Sequence, residues 1–259
     1  MKPISYLLLL VCLLLAKLTV HAQDYKIPVQ NVKEGKLTLN NFPGDLPVEA
    51  YSGNEIIISS DRENKTPDRA KGLKAVYADG TDNTGMAVAM EKNSNQITLD
   101  CLLPITQSAS YKIRVPDNFS IQVHNECGHA GNVTVENAKG EVEITNCQGI
   151  KLKNVSGPLV LSTISGDINV TVTQMSKDKP VSFASISGDI DVTLPSNVGV
   201  DIQMETISGG IYSDFDFPSD DKKLKKIGGG SIKSQLNGGG ADLKITNISG
   251  NIYLRKKAS

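Results

Sequence analysis

The segment His124-Asn125-Glu126-Cys127-Gly128-His129 brings two imidazoles, a carboxylate and a thiol into six positions. Imidazole and thiolate together suit a tetrahedral zinc site, so His124, Cys127 and His129, with Glu126 between them, are the residues with which this chain would hold a metal. Parity argues the other way. Ile121 and Val123 fill the buried face of the strand leading in, which turns His124 outward, and the ligands straddle a turn; an exposed turn is the default reading. A hydrolase triad would need a base from the same spot, since His124 and His129 are the histidines left once the leader described below is removed. No G-x-S-x-G elbow accompanies them. The acids suggest a second chemistry. Asp167, Asp189, Asp191 and Asp201 are carboxylates that a polysaccharide lyase or glycosidase on a coiled β fold would gather on one sheet beside a basic residue. Asp167 and Asp189 recur within a repeat, which gives them a simpler role as turn residues. Neither IGGG (residues 227–230) nor NGGG (residues 237–240) continues into the Gly-Lys-Ser/Thr of a phosphate loop. The sequence assigns no catalytic residue and no cofactor.

Binding demands less of a surface than catalysis does. Sugar-binding faces favour Trp and Tyr rings as platforms, and this chain has no Trp. Its densest aromatic stretch is IYSDFDFP (residues 211–218), where strand parity sets Tyr212 opposite Phe215 and Phe217. The two phenylalanines read as core or loop anchors, and Tyr212 as the exposed candidate for ligand contact.

The elements that would position these residues are written into a repeat. ISGDI occurs at residues 164–168 and again at 186–190. Counting from the isoleucine of each ISG (Ile164, Ile186, Ile207, Ile248), positions five and three earlier are apolar in every copy: Leu159 and Leu161, Val181 and Phe183, Ile202 and Met204, Leu243 and Ile245. The residue just before is small and polar (Thr163, Ser185, Thr206, Asn247), and four positions on stands another isoleucine. Such alternation marks a strand with one buried face, closed by a glycine turn. Gly157, Gly166, Gly188, Gly209 and Gly250 are the turn glycines this frame predicts. The isoleucines are 22, 21 and 41 residues apart, and a degenerate copy around Ile227 fills the double interval. Coils of about 21 residues, each carrying two short strands, would stack Ile on Ile, Ser on Ser and Gly on Gly around a buried apolar column. A parallel β-solenoid is the architecture this favours, and a β-sandwich of hairpins is the alternative. With coils near 20 residues, Cys127 and Cys147 would come one above the other, close enough for an inter-coil disulfide that leaves Cys101 over.

The run NVSG, TISGDI, SISGDI, TISGGI and NISGNI, preceded by YKIRVPDNFSIQV, resembles a bacterial family of adhesin-like secreted domains of unknown function, over residues 36–254. The resemblance implies a right-handed β-solenoid of the cell envelope, and it brings no catalytic residues to carry across.

The ends and the composition set the surroundings. Lys2, an apolar run from Ile4 to Ala16 and Val20-His21-Ala22 read as a signal peptide cleaved after residue 22, too short for a membrane span. The expected organisation is a leader (1–22), an N-terminal β segment capping the solenoid (23–110) and the repeat region (111–259). With 27 basic and 28 acidic residues, the chain lacks the concentrated positive charge that nucleic acid demands. The expectation is an exported, non-enzymatic module, periplasmic or at the cell surface, acting as a scaffold or adhesin-like binder of envelope glycans or surface proteins. A polysaccharide-active enzyme on the same fold is the alternative.

Overall fold

A computed structural model describes residues 23–62, 67–128, 130–175, 179, 181–217 and 229–258. The leader, His129, Ile227 and the basic run at 222–226 therefore lie outside the described residues. The fold is all-β, with one short 3-10 turn at Asp68–Ala70 as the helical content of the described residues. Two ten-stranded sheets face each other. Edge to edge, the first runs Gln23–Pro28, Glu55–Ser60, Tyr111–Pro116, Gly44–Tyr51, Ala130–Glu136, Ile150–Val155, Ile168–Val172, Ile190–Leu194, Ile252–Lys256 and Ile211–Ser213. The second runs Gly230–Leu236, Val200–Ser208, Ala241–Ser249, Val181–Ser187, Leu159–Ser165, Val142–Asn146, Ser120–His124, Lys36–Asn40, Gln96–Cys101 and Val88–Asn93.

The chain alternates between the two sheets, and like meets like in parallel register. Ile121 pairs with Val142, Val142 with Leu159, and Leu161 with Phe183. On the facing sheet Ile150 pairs with Ile168 and Ile168 with Ile190. Antiparallel pairing is confined to the ends and to one short hairpin. Period-two alternation does the rest. In Leu159–Ser165 the side chains of Leu159, Leu161 and Thr163 are buried while those of Val160, Ser162 and Ile164 face water. One apolar cluster extends from Ile27 to Leu254 between the sheets. Each fully buried Leu, Ile or Val in it contributes about 1.5–3 kcal/mol.

Spatial order departs from sequence order at both ends. The strand carrying Ile186 lies beside the one carrying Ile248, through Ser187 and Ser249, and the strand carrying Ile207 lies beyond it, through Ser208 and Ser249. Regular stacking of Ile207 on Ile186 is thus corrected. The chain skips a place after Leu194, builds the coil of residues 200–213, and returns to slot residues 241–256 into the vacant place. At the other end Lys36–Asn40 and Gly44–Tyr51 make a coil between one that starts at Gln96 and one that starts at Ser120. Neighbours along the sheet are therefore not always neighbours in the chain.

Candidate binding surface

A corner, Ser-Gly in the four ISG coils, joins second-sheet strands to the first-sheet strands that follow them, and two polar ladders hold it. The inner ladder is the small polar residue before each ISG isoleucine, and Asn146 before Cys147. Asn146, Thr163, Ser185, Asn247 and Thr206 point inward and are buried. From there Asn146 Nδ2 donates to the carbonyls of Gly131, Gln148 and Gly149, the Thr163 hydroxyl to that of Gln148, Asn247 Nδ2 to that of Gly188, and the Thr206 hydroxyl to that of Gly250. Turn carbonyls that would otherwise be orphaned are satisfied from inside the coil. The outer ladder precedes the first inward residue of each first-sheet strand. Asp45 Oδ1 accepts from the Asn132 N–H, Asn132 Oδ1 from Gly149, Asp167 Oδ1 from Asp189, Asp189 Oδ1 from Asn251, and Asn251 Oδ1 from Gly210. Each acid or amide caps the backbone of the coil beside it. Asp167 and Asp189 have a structural task, and an amide performs it as well at position 251.

The glycines of this corner stack on one another. A Cβ on Gly188 would run into the Gly166 carbonyl, and one on Gly250 into that of Gly188. Gly157 belongs elsewhere. It follows the first-sheet strand Ile150–Val155, at the opposite corner, and stands over the Gly140 carbonyl.

The four acids singled out from sequence do not converge. Asp167 and Asp189 lie in the corner ladder, and Asp191 is engaged by Arg255 on the outer face of the first sheet. Asp201 is on the second sheet, where the Gly240 N–H and the Gln235 amide hold its carboxyl below the usual range. In the HNECGH turn His124 and Glu126 are exposed, and Cys127 is joined to Cys147 in a disulfide with Cα atoms 5.1 Å apart. That corrects Cys127 as a metal ligand, because a bonded sulfur has no thiolate to offer. Among the described residues no group of three or more His, Cys, Asp or Glu is placed to hold a metal. Cys101 is a free, buried thiol whose pKa is pushed up by burial, against the Leu103 N–H and the Tyr111 hydroxyl, which work the other way.

The exposed aromatic surface lies at the end of the first sheet. Ile211–Ser213 is the edge strand, and its parallel register with Ile252–Lys256 puts Tyr212 directly beside Tyr253. The rings stack, with centroids 5.3 Å apart and planes 16° from parallel. Tyr212 is 56% exposed. Two residues along the same face, the Arg255 guanidinium sits 5.4 Å from the Tyr253 ring. Arg255 Nε donates to both Asp191 oxygens at 2.9 and 2.8 Å, which fixes the guanidinium and raises its pKa further. Phe215 is buried and Phe217 packs against the core, so both are anchors. Parity identified Tyr212 but missed Tyr253 and Arg255. Tyr253 follows Tyr212 by 41 residues, the interval from Ile207 to Ile248, and that interval was its signal.

Parity also decides which way the isoleucines of the repeat point. Ile164, Ile186, Ile207 and Ile248 stack in register, yet they stand outside the column, between 45% and 66% exposed. The inner column consists of the residues five and three positions earlier.

The family model described as Toastrack DUF4097 matches residues 120–255. No curated protein matches the chain. Among solved structures it is similar to a "putative cell adhesion protein" from Clostridium sporogenes, at 13% identity and a TM-score of 0.43, over 91% of this chain and 100% of that one. A "putative adhesin" from Bacteroides fragilis aligns at 12% identity and a TM-score of 0.31, over 91% and 97% of the two chains. A "putative lipid binding protein" from Parabacteroides distasonis aligns at 11% identity and a TM-score of 0.26, over 92% and 97%.

Proposed function

This chain belongs to the Toastrack DUF4097 family, and we propose from that premise that it is an exported, non-enzymatic binding module of the cell envelope that recognises glycans through Tyr212, Tyr253 and Arg255. The observation carrying this reading is the exposed Tyr212 ring, stacked on Tyr253 at the sheet edge beside a guanidinium locked by Asp191. A tyrosine pair offers a rigid apolar face for the C–H face of a sugar ring, at little cost in side-chain entropy. The Arg255 N–H groups not bonded to Asp191 supply hydroxyl recognition, and their orientation is already set. The Cys127–Cys147 disulfide supports an oxidising compartment, and residues 1–22 supply the export signal. The coils are taken as right-handed, the sense in which parallel strands joined by crossovers nearly always wind. No helix among the described residues is long and apolar enough to cross a membrane.

A glycan-array screen of the purified protein tests the reading, with any ligand found then titrated into Tyr212→Ala. The expected result is retention of a glycan class by the wild type and a loss of roughly tenfold or more in affinity by the variant, with the melting temperature unchanged. Release of new reducing or unsaturated ends from the retained glycan would favour the lyase or glycosidase alternative. Binding indifferent to Tyr212 would move the site elsewhere.

A further inference from the structure

The outward isoleucines form a line that the coil architecture does not need. In spatial order they are Ile207, Ile248, Ile186 and Ile164, on four adjacent parallel strands of the second sheet. At one strand spacing per rung the line is roughly 14 Å long. In the next register position stands Cys147, carrying the disulfide to Cys127. Both flanks are small and nearly uncharged. On the strand side lie Glu205, Thr246, Ala184 and Ser162, and on the turn side Ser208, Ser249, Ser187 and Ser165. With 45% to 66% of each exposed, the four isoleucines leave roughly 400 Å² in water, within the ~300–600 Å² of the largest and often functional patch on a soluble chain.

We propose that this ladder is a homotypic docking surface, on which a second copy of the chain lays its own ladder antiparallel. The flanks choose the occupant. An anionic membrane surface draws on basic residues beside the apolar face, and neither flanking column contains Lys or Arg. A sugar would want a ring, and none flanks the line among the described residues. A second ladder fits because identical side chains at an even rise can meet rung on rung, with small flanking residues letting the sheets close to about 10 Å, as in dry sheet-to-sheet interfaces. Isoleucine held stiff at χ1 loses little freedom in that contact. A two-fold axis between Ile248 and Ile186 sets Ile207 over the second copy's Ile164, and Ile248 over its Ile186. The antiparallel order also sends the two Glu205 carboxylates to opposite ends, where a parallel order would bring them together. The patch is about half of the ~800 Å² per partner in a standard complex, so pairing is weak and concentration-dependent. The tyrosine platform is on the other sheet and stays open in the pair, so this inference stands independently of the glycan reading.

Sedimentation velocity over a concentration series tests it. The expected result is a monomer–dimer equilibrium whose dissociation constant rises at least about tenfold in Ile186→Ser/Ile248→Ser, with an unchanged melting temperature because both side chains face water. Orientation is read with a bifunctional thiol-reactive cross-linker that spans roughly 10 Å, the separation of facing sheets, which a disulfide cannot bridge. Ile164→Cys/Ile207→Cys should give a covalent dimer, and neither single variant should, since the antiparallel order sets each thiol opposite the other position of the second copy and about three rungs from its own equivalent. A monomer at all concentrations, association untouched by the serine variant, or single cysteine variants that cross-link as well as the double would overturn the proposal. So would binding to phosphatidylethanolamine–phosphatidylglycerol vesicles that the serine variant abolishes while the protein stays monomeric; that result would assign the ladder to lipid.

Discussion

Gly188 shows how little room the corner leaves. Its φ of 126° lies where side chains are strained, and a Cβ would also meet the backbone of the neighbouring coil. Gly188→Val should therefore cost at least about 2 kcal/mol and lower the melting temperature by several degrees. The adjacent residue should behave differently. Asp189→Asn keeps the Oδ1 that accepts from Asn251 N–H and should fall within about 0.5 kcal/mol of wild type. Asp189→Ala removes the acceptor and should cost about 1 kcal/mol. Equal thermal melts for all three variants would contradict the ladder. Asp82 makes a pH prediction. Burial pushes its carboxyl up, but the N–H groups of Ala87, Thr84 and Gly85, with the Thr84 hydroxyl, outweigh it and hold the carboxyl below the ordinary range. A carboxyl depressed in the folded state contributes stability that is present above its unfolded pKa and is lost as pH falls through the folded value. Thermal melts should thus weaken below about pH 4. Asp82→Asn, which turns a donor toward one of these N–H groups, should be about 1–3 kcal/mol less stable at neutral pH and flatter in acid.

At the scale of the element, the sequence was most legible where period two and the repeat agreed. Leu159 and Leu161, Val181 and Phe183, and Leu243 and Ile245 are all buried as alternation requires. The same alternation already placed the ISG isoleucines on the outer face, because odd offsets from a residue fall on the opposite side of a strand. Aligning copies on those isoleucines hid that. Gly157 was grouped with the other turn glycines because NVSG looks like TISG; the letters match although the corners differ. The inserted coil was illegible for a physical reason. Repeat spacing states which residues can pair, and the four copies are near-equivalent partners, so nothing local tells residues 241–256 to enter between two earlier coils. A truncation tests the consequence. Ending the chain at Leu236 strips pairing from both Val181–Ser187 and Val200–Ser208 and removes Leu243, Ile245, Ile252 and Leu254 from the core. At about 1.5–3 kcal/mol per side chain this is comparable with the whole stability of a domain. The truncated chain should lose its cooperative melt and its protease resistance, whereas removing the edge strand Gln23–Pro28, with one buried apolar residue, should leave a cooperative transition. A truncated chain that melts within a few degrees of wild type would show that the last coil is peripheral.

For the whole molecule, the stack creates surfaces that no single coil possesses. Tyr212 and Tyr253 become a pair, and four isoleucines become a line, because coils distant in the chain are filed side by side. The tyrosine pair was half legible: strand parity exposed Tyr212, but its partner follows from a spatial order that the spacing does not encode. Both surfaces therefore depend on residues 241–256 lying between the coil of Ile186 and the coil of Ile207. Engineered cysteines read that order directly. Ser187 and Ser249 are register partners, as are Ser208 and Ser249, while Ser187 and Ser208 are two strands apart. Adjacent parallel strands bring Cα atoms within disulfide range, and a two-strand gap of roughly 10 Å does not. On oxidation, Ser187→Cys/Ser249→Cys should form an intramolecular disulfide, visible in a non-reduced digest, and Ser187→Cys/Ser208→Cys should keep both engineered thiols free. The reverse pattern would mean that the coils follow chain order, and it would contradict the arrangement from which both proposed surfaces are built.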